Sequence, residues 1–281
     1  MRMTRKKFWL TFSVVCASVV LICAALSLVF RLQTVNVDFR TRGAPTNLEA
    51  GIKDDILKSG QFSYKKNILF MNFDSNIEKI EKENPFIKVE QVIRYFPNSV
   101  KVFVSERIPR YRVKDTNDEK WYILDKDFKV LDKVTTSEVN TKLMFCGTAT
   151  YYQTTVEISP SNYTITSEIG NFVKNKTVMN NMLQLTQGIY GKVGAISKAK
   201  SISFDANNNF VIVFKNSADE NDEGCRVEIS GLDDLKQRAY VATKLYIETL
   251  EDDPTADLSS SVIIVEISPT VNGEYIARYR Q

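Results

Sequence analysis

The chain has 281 residues, of which 43% are hydrophobic and 25% charged, a balance that predicts folded domains. Five of its 37 basic residues precede residue 32, and no acidic residue does. The rest of the chain therefore carries 32 bases against 34 acids, a charge balance that does not favour binding to nucleic acid. There is no histidine, which excludes every Ser-His or Cys-His nucleophile and the commonest metal ligand.

The first predicted element is an uncharged, apolar helix over residues 8–30. Its 23 residues span about 34 Å at about 1.5 Å each, enough for a hydrocarbon core of about 30 Å. Four bases precede the segment and Arg31 alone follows it, so the positive-inside rule predicts a cytoplasmic tail and an extracytoplasmic remainder. A cleaved signal peptide is the alternative, since Cys23-Ala24-Ala25 offers small residues for cleavage.

Residues 32–112 predict a small domain in the order β-α-α-β-β. Asn47 and Asp74 are candidate helix caps, and Gly60 and Asn84-Pro85 are stop signals. Period-two alternation of valines then indicates half-buried strands. The predicted elements are strand Thr34–Phe39, helix 47–60, helix 74–84, strand Val89–Tyr95, and a strand containing Val100, Val102 and Val104.

Residues 113–281 predict a mixed β-sheet domain with two helices, so the fold class is α+β. One hairpin turns around Asp125–Asp127 and another across Asp205–Asn209. The latter fails as a calcium loop, because Phe210 stands where Gly is needed. The remaining predicted elements are helices 172–190 and 231–250 and strands 225–229, 262–267 and 274–279.

The segment from Asn84 to Pro109 carries the most specific pattern. Its order, with Pro85, Ile87, Phe96, Pro97, Glu106, Arg107 and Pro109, resembles the POTRA domain of the bacterial division proteins FtsQ and DivIB. The resemblance implies four regions: cytoplasmic tail 1–7, transmembrane helix 8–30, POTRA-like domain 32–112 and β domain 113–281.

The resemblance also implies a function. It implies a non-enzymatic scaffold in the plasma membrane at the division septum, with no cofactor, metal or small-molecule substrate. Its expected partners are other division membrane proteins, the small coiled-coil FtsB/DivIC and FtsL types, which it would recruit to the divisome.

The expected partner-binding residues lie near the end of the sequence. The residue pattern alone favours a last strand that is covered by the rest of the fold and has only a structural role. The resemblance reverses that preference, because family members bind partners through the end of the β domain. An edge strand also exposes unpaired backbone groups, and Tyr and Arg are frequent at interface hot spots. The candidates are Tyr275, Ile276, Arg278 and Tyr279, with Arg238 from the preceding helix.

Two other functions remain as alternatives. A membrane-tethered cell-wall enzyme would need the S-x-x-K pairs at Ser63–Lys66 or Ser197–Lys200 and the K-S-G at Lys58-Ser59-Gly60, but their order and spacing do not fit penicillin-recognising enzymes. A POTRA-type chaperone or secretion component would normally carry several POTRA copies or a barrel.

Cysteine pairing stays open at this point. Cys146 and Cys225 either form a disulfide or are two buried thiols.

Overall fold

The computed structural model describes residues 5–40, 49–115, 119–140, 142–145, 148–151, 155–160, 167–190, 198–205, 207–215, 223–268 and 273–280. These divide into two compact units, Met1–Arg107 and Ile108–Gln281. Helix α1, Arg5–Val29, begins the first unit. Its stretch Trp9–Val29 is long and apolar enough to cross a membrane, and none of it is buried against protein.

The rest of the first unit has the predicted order β-α-α-β-β. The elements are β1 (Thr34–Phe39), α2 (Glu49–Gly60), α3 (Asp74–Glu83), β2 (Ile87–Tyr95) and β3 (Ser99–Glu106). A short 3₁₀ turn, Ile68–Phe70, lies between α2 and α3, and Asn67 caps it by accepting from the backbone N–H of Leu69.

Strand β3 is the centre of the first sheet, whose order is β1-β3-β2. It pairs parallel to β1 and antiparallel to β2. Val100, Val102 and Val104 are completely buried, as their alternation predicts, and pack with Ile56 of α2 and Ile80 of α3. Burial of branched side chains between one sheet face and two helices therefore holds this unit together.

The predicted cap of α3 is wrong in detail. Asp74 is the first helical residue, and Phe73 occupies the cap position without a side-chain hydrogen bond. The amide oxygen of Asn72 accepts from the Asp74 N–H at 2.9 Å and so satisfies a free donor of the first turn. The predicted cap Asn47 of α2 lies outside the described residues.

The second unit is built on one nine-stranded sheet. Its order is β14-β13-β12-β11-β10-β9-β4-β5-β6. The strands are β4 (Tyr111–Lys114), β5 (Trp121–Leu124), β6 (Val130–Val134), β9 (Val156–Pro160), β10 (Ala199–Phe204), β11 (Asn209–Phe214), β12 (Cys225–Ser230), β13 (Val262–Ile267) and β14 (Tyr275–Tyr279). A separate hairpin pairs β7 (Lys142–Phe145) with β8 (Thr148–Tyr151).

Two helices cover one face of the nine-stranded sheet. Helix α4, Lys176–Tyr190, packs against helix α5, Leu235–Asp252, and α5 contacts β12, β13 and β14. Met182 and Leu185 of α4 and Ala239 and Tyr246 of α5 are almost fully buried in the shared core. Strands β12 and β13 run parallel because α5 forms the crossover between them.

Both helices begin later than the sequence pattern predicts. Phe172 and Leu232 are exposed loop residues, so their apolar character does not mark a helical face. Helix α4 starts after Asn175, whose side-chain oxygen accepts from the N–H of Val178 at 3.1 Å. Asp234, with φ of +47°, precedes α5.

Three sequence expectations concern loops and thiols. Asp205 accepts backbone N–H bonds from Asn207 and Asn209, as a polar hairpin turn does, and these bonds lower the pKa of its carboxyl group. Cys225 is a buried free thiol. Cys146 lies outside the described residues. The predicted α+β class, with an apolar N-terminal helix, a POTRA-like unit and a mixed sheet with helices, is confirmed.

Candidate partner-binding edge

Strand β14, Tyr275–Tyr279, lies at one end of the nine-stranded sheet. It pairs antiparallel with β13 on its inner side, from Ile267↔Tyr275 to Ile263↔Tyr279. Within the described residues the sheet order ends there, so the outer side of β14 is an open edge.

The hydrogen-bond register decides which residues face this open edge. The N–H of Arg280 donates to the carbonyl of Val262, and the N–H of Ser268 donates to the carbonyl of Glu274, each at 2.7 Å. Because hydrogen-bonded and non-bonded pairs alternate in antiparallel sheets, even-numbered residues of β14 bond inward. The backbone groups of Tyr275, Ala277 and Tyr279 therefore point outward, ready to pair with another strand.

The Tyr275 side chain packs toward the start of α5. Its hydroxyl donates to Asp234 Oδ2 at 3.2 Å, and the Arg238 guanidinium lies 5.4 Å from the ring centre. Arg238 is buried and donates through Nη1 to the carbonyl of Ser230. Burial and the neighbouring Asp234 carboxylate raise the pKa of the Tyr275 hydroxyl.

Tyr279 fixes the other end of β14 to the last turns of α5. Its hydroxyl donates to Thr249 Oγ1 at 2.9 Å, and that hydroxyl donates in turn to the carbonyl of Leu245. Burial raises the pKa of the Tyr279 hydroxyl. The two tyrosines thus hold the edge strand against one helix at both of its ends.

The opposite face of β14 carries Ile276 and Arg278, since side chains alternate across a strand. Ile276 is 38% exposed. Arg278 forms an exposed ion pair with Glu266 at 2.9 Å, and Arg280 forms one with Glu228 at 2.5 Å. This face therefore presents an apolar side chain beside paired charges, next to the open backbone edge.

Four of the five predicted partner-binding residues lie on β14, where Arg238 contacts Tyr275, Tyr279 contacts the other end of α5, and Ile276 and Arg278 lie on the opposite face. The sequence did not point to Ala277, because its small side chain gives no sign that its backbone groups face the open edge. It also did not point to Asp234 and Thr249, the hydrogen-bond partners of the two tyrosines. The spacing of Tyr275 and Tyr279 was a usable signal, because residues four apart on a strand share a face and predict a common support.

The POTRA signature residues contribute more to the fold of the first unit than to an exposed surface. Arg107 is buried and forms an ion pair with Glu81 of α3 at 2.9 Å, while Glu81 also accepts the N–H of Val89. Ile87 is buried, and Phe96 is 60% exposed beside Phe30. Of the other signature residues, Pro85, Pro97 and Glu106 lie at element ends, and Pro109 is buried in the second unit.

The serine of the K-S-G match has a structural role. Ser59 is buried, donates to the carbonyl of Ile56 and accepts from the amide of Asn84 at 2.9 Å. Its hydroxyl therefore joins α2 to the end of α3. Ser197 of the second S-x-x-K match lies outside the described residues.

Comparison with known proteins gives a family model that matches the first unit and a similar curated protein. Residues 50–107 match the family model of the FtsQ-type POTRA domain. A segment of 81 residues is 35% identical to the cell division protein DivIB of Clostridium tetani (strain Massachusetts / E88). That match spans 29% of this chain and 29% of the relative.

Proposed function

Because the FtsQ-type POTRA domain and the DivIB relative support membership of the FtsQ/DivIB family, we propose that this chain is a membrane-anchored cell division protein. It acts as a scaffold without bond-making chemistry. Helix α1 anchors it in the plasma membrane, and the basic residues before the apolar stretch Trp9–Val29 keep the N-terminal side of that stretch in the cytoplasm.

The second unit recruits small coiled-coil division proteins of the FtsB/DivIC and FtsL types. The observation that carries this proposal is the open edge of β14, with the backbone groups of Tyr275, Ala277 and Tyr279 directed outward. A partner segment in extended conformation adds to this edge by main-chain hydrogen bonds, and Ile276 and Arg278 give side-chain contacts. Tyr275, Tyr279 and Arg238 keep the edge in place.

The experiment is a pair of substitutions at Ala277 in the full-length chain. Ala277→Pro removes an outward-facing N–H while leaving the ladder to β13, and proline is tolerated on edge strands for this reason. We expect it to abolish co-purification of the FtsB/DivIC- and FtsL-type partners from membranes. Ala277→Ser keeps the N–H and is expected to retain binding.

A fold control accompanies this pair. Slow hydrogen exchange at Ile264 and Glu266, whose backbone groups bond to Arg278 and Ile276 of β14 in this register, should persist in Ala277→Pro. Partner capture by a folded Ala277→Pro protein at the Ala277→Ser level would refute strand addition.

The division role is tested separately by depletion with a fluorescent fusion. We expect a septal signal in normal cells and filamentous cells on depletion. Uniform membrane fluorescence with normal division would contradict the role, whatever the outcome at Ala277.

A further inference from the structure

The junction between helix α1 and strand β1 is short and is hydrogen-bonded to two loops of the first unit. The carbonyl of Phe30 accepts from the N–H of Ile68 at 2.8 Å, and the N–H of Leu32 donates to the carbonyl of Lys66 at 2.9 Å. The N–H of Gln33 donates to the carbonyl of Asn98 at 2.8 Å. Two loops of the first unit are therefore fixed directly at the end of the apolar helix.

These loops expose large apolar side chains that do not belong to the hydrophobic cores of the described residues. Phe70 is 86% exposed, and Tyr64, Leu69 and Phe96 are also exposed. Phe70 is two residues from Ile68, so its Cα lies within about 7 Å of the Ile68 Cα. Arg94 holds this loop by donating to the carbonyls of Ile68 and Met71. The exposure of Phe70 is thus a feature of a supported loop.

The charge around the junction has one sign. The three segments that meet there, residues 30–36, 61–73 and 94–98, contain four bases and no acid. Lys65 and Lys66, next to Tyr64, are exposed. Aromatic side chains beside lysines are the composition of a membrane–water interface, where rings sit at headgroup level and bases attract anionic lipids.

We propose that Tyr64, Lys65, Lys66, Leu69, Phe70 and Phe96 form a collar that rests in the lipid interface of the leaflet where helix α1 ends. The argument for lipid as the occupant is continuity, because the collar is bonded to the last residues of a helix that is long and apolar enough to cross a membrane, and it rests on the proposed anchoring by that helix. The apolar side chains enter the acyl boundary, and the lysines contact anionic headgroups. This inference is independent of the division role.

The test uses the full-length chain in vesicles and a tryptophan at Phe70. Native Trp9 is replaced by Phe, and the signal of Trp121 is subtracted with the Trp9→Phe parent. We expect lipids brominated near the headgroup to quench Phe70→Trp strongly. Quenching should be greater in vesicles containing phosphatidylglycerol than in phosphatidylcholine alone, because Lys65 and Lys66 face the headgroups.

The matched control is Phe103→Trp in the same background. Phe103 is an aromatic residue of the same unit, five residues along from Asn98, or about 17 Å at about 3.3 Å per residue. We expect little lipid quenching there. Equal quenching of the two variants, or equal quenching in both vesicle types, would overturn the proposal. Protection of Phe70→Trp from both brominated lipid and aqueous iodide would also overturn it, by placing a second protein copy at the collar.

Discussion

At the residue scale, the signature that identifies the first unit is also a stabilising contact. Arg107 directly follows β3 and pairs with Glu81, and the side chains of these two residues are 5% and 17% exposed, respectively. A buried ion pair adds little net stability, but removing one member leaves the other charge without compensation. Arg107 of the Glu-Arg-x-Pro motif therefore joins the end of the sheet to α3.

We predict that Arg107→Ala destabilises the first unit by about 3–5 kcal/mol, the usual cost of breaking a buried pair. Urea titration of the full chain in detergent, read by hydrogen exchange in β2 and β3, measures this loss. Lys88→Ala is the control, because the Lys88–Glu90 pair is exposed and 3.8 Å long, and we expect a change below about 1 kcal/mol. Equal effects of the two substitutions would contradict the prediction.

A second residue-scale prediction concerns Cys225 and pH. Burial raises the pKa of its thiol to about 12 from an ordinary value near 9. The neutral thiol is favoured in the folded state, so its contribution to stability is complete below pH 9 and is lost as the pH rises toward 12. Thiolate is the reactive form, so the raised pKa makes native Cys225 unreactive at pH 8.

We therefore expect native Cys225 to resist iodoacetamide at pH 8, with peptide mass spectrometry as the readout. The same peptide should label fully in urea. Native labelling of Cys225 at the rate of the denatured protein would mean that the β12 core opens freely.

At the element scale, the contact between α4 and α5 depends on a glycine. A Cβ at Gly188 would overlap the carbonyl of Lys236 and the side chain of Ala239, whereas a Cβ at Gly51 of α2 would meet nothing within 4 Å. The two helical glycines therefore make a matched pair with opposite expectations.

We predict that Gly188→Ala destabilises the second unit by about 1–3 kcal/mol through overpacking. Gly51→Ala should stabilise the first unit by up to about 1 kcal/mol, because alanine favours the helix. Thermal unfolding of both variants measures the difference. A stabilising Gly188→Ala would show that α4 and α5 can move apart at no cost.

The same scale shows what the sequence could and could not predict. Strand β3 follows from branched residues with period two, because such side chains pack on a half-buried pleat. Strands β4 and β9 were missed, since each is short and pairs in parallel with a segment distant in sequence. The corner of Arg238, Asp234 and Tyr275 was only partly predictable, because α5 and β14 meet through the tertiary fold and no local pattern encodes their contact.

At the scale of the whole molecule, the two units have separate cores. One cluster joins residues from Leu32 to Val104, and the other joins residues from Tyr111 to Val265. We predict that variant effects stay within their unit: Arg107→Ala should raise exchange in β1–β3 alone, and Gly188→Ala in β9–β14 alone. Site-resolved hydrogen exchange tests this, and loss of protection in both units from either variant would contradict it.

The four-residue junction after helix α1 has a mechanical consequence. Phe30, Leu32 and Gln33 are all hydrogen-bonded to loops of the first unit, so no flexible linker separates helix α1 from the rest of that unit. Rotation of helix α1 about its own axis therefore rotates the rest of the first unit through the same angle. A domain held in this way in a bilayer can move only by two translations in the membrane plane and one rotation about the membrane normal. It therefore loses less entropy than a freely diffusing domain when it binds a neighbour in the same membrane.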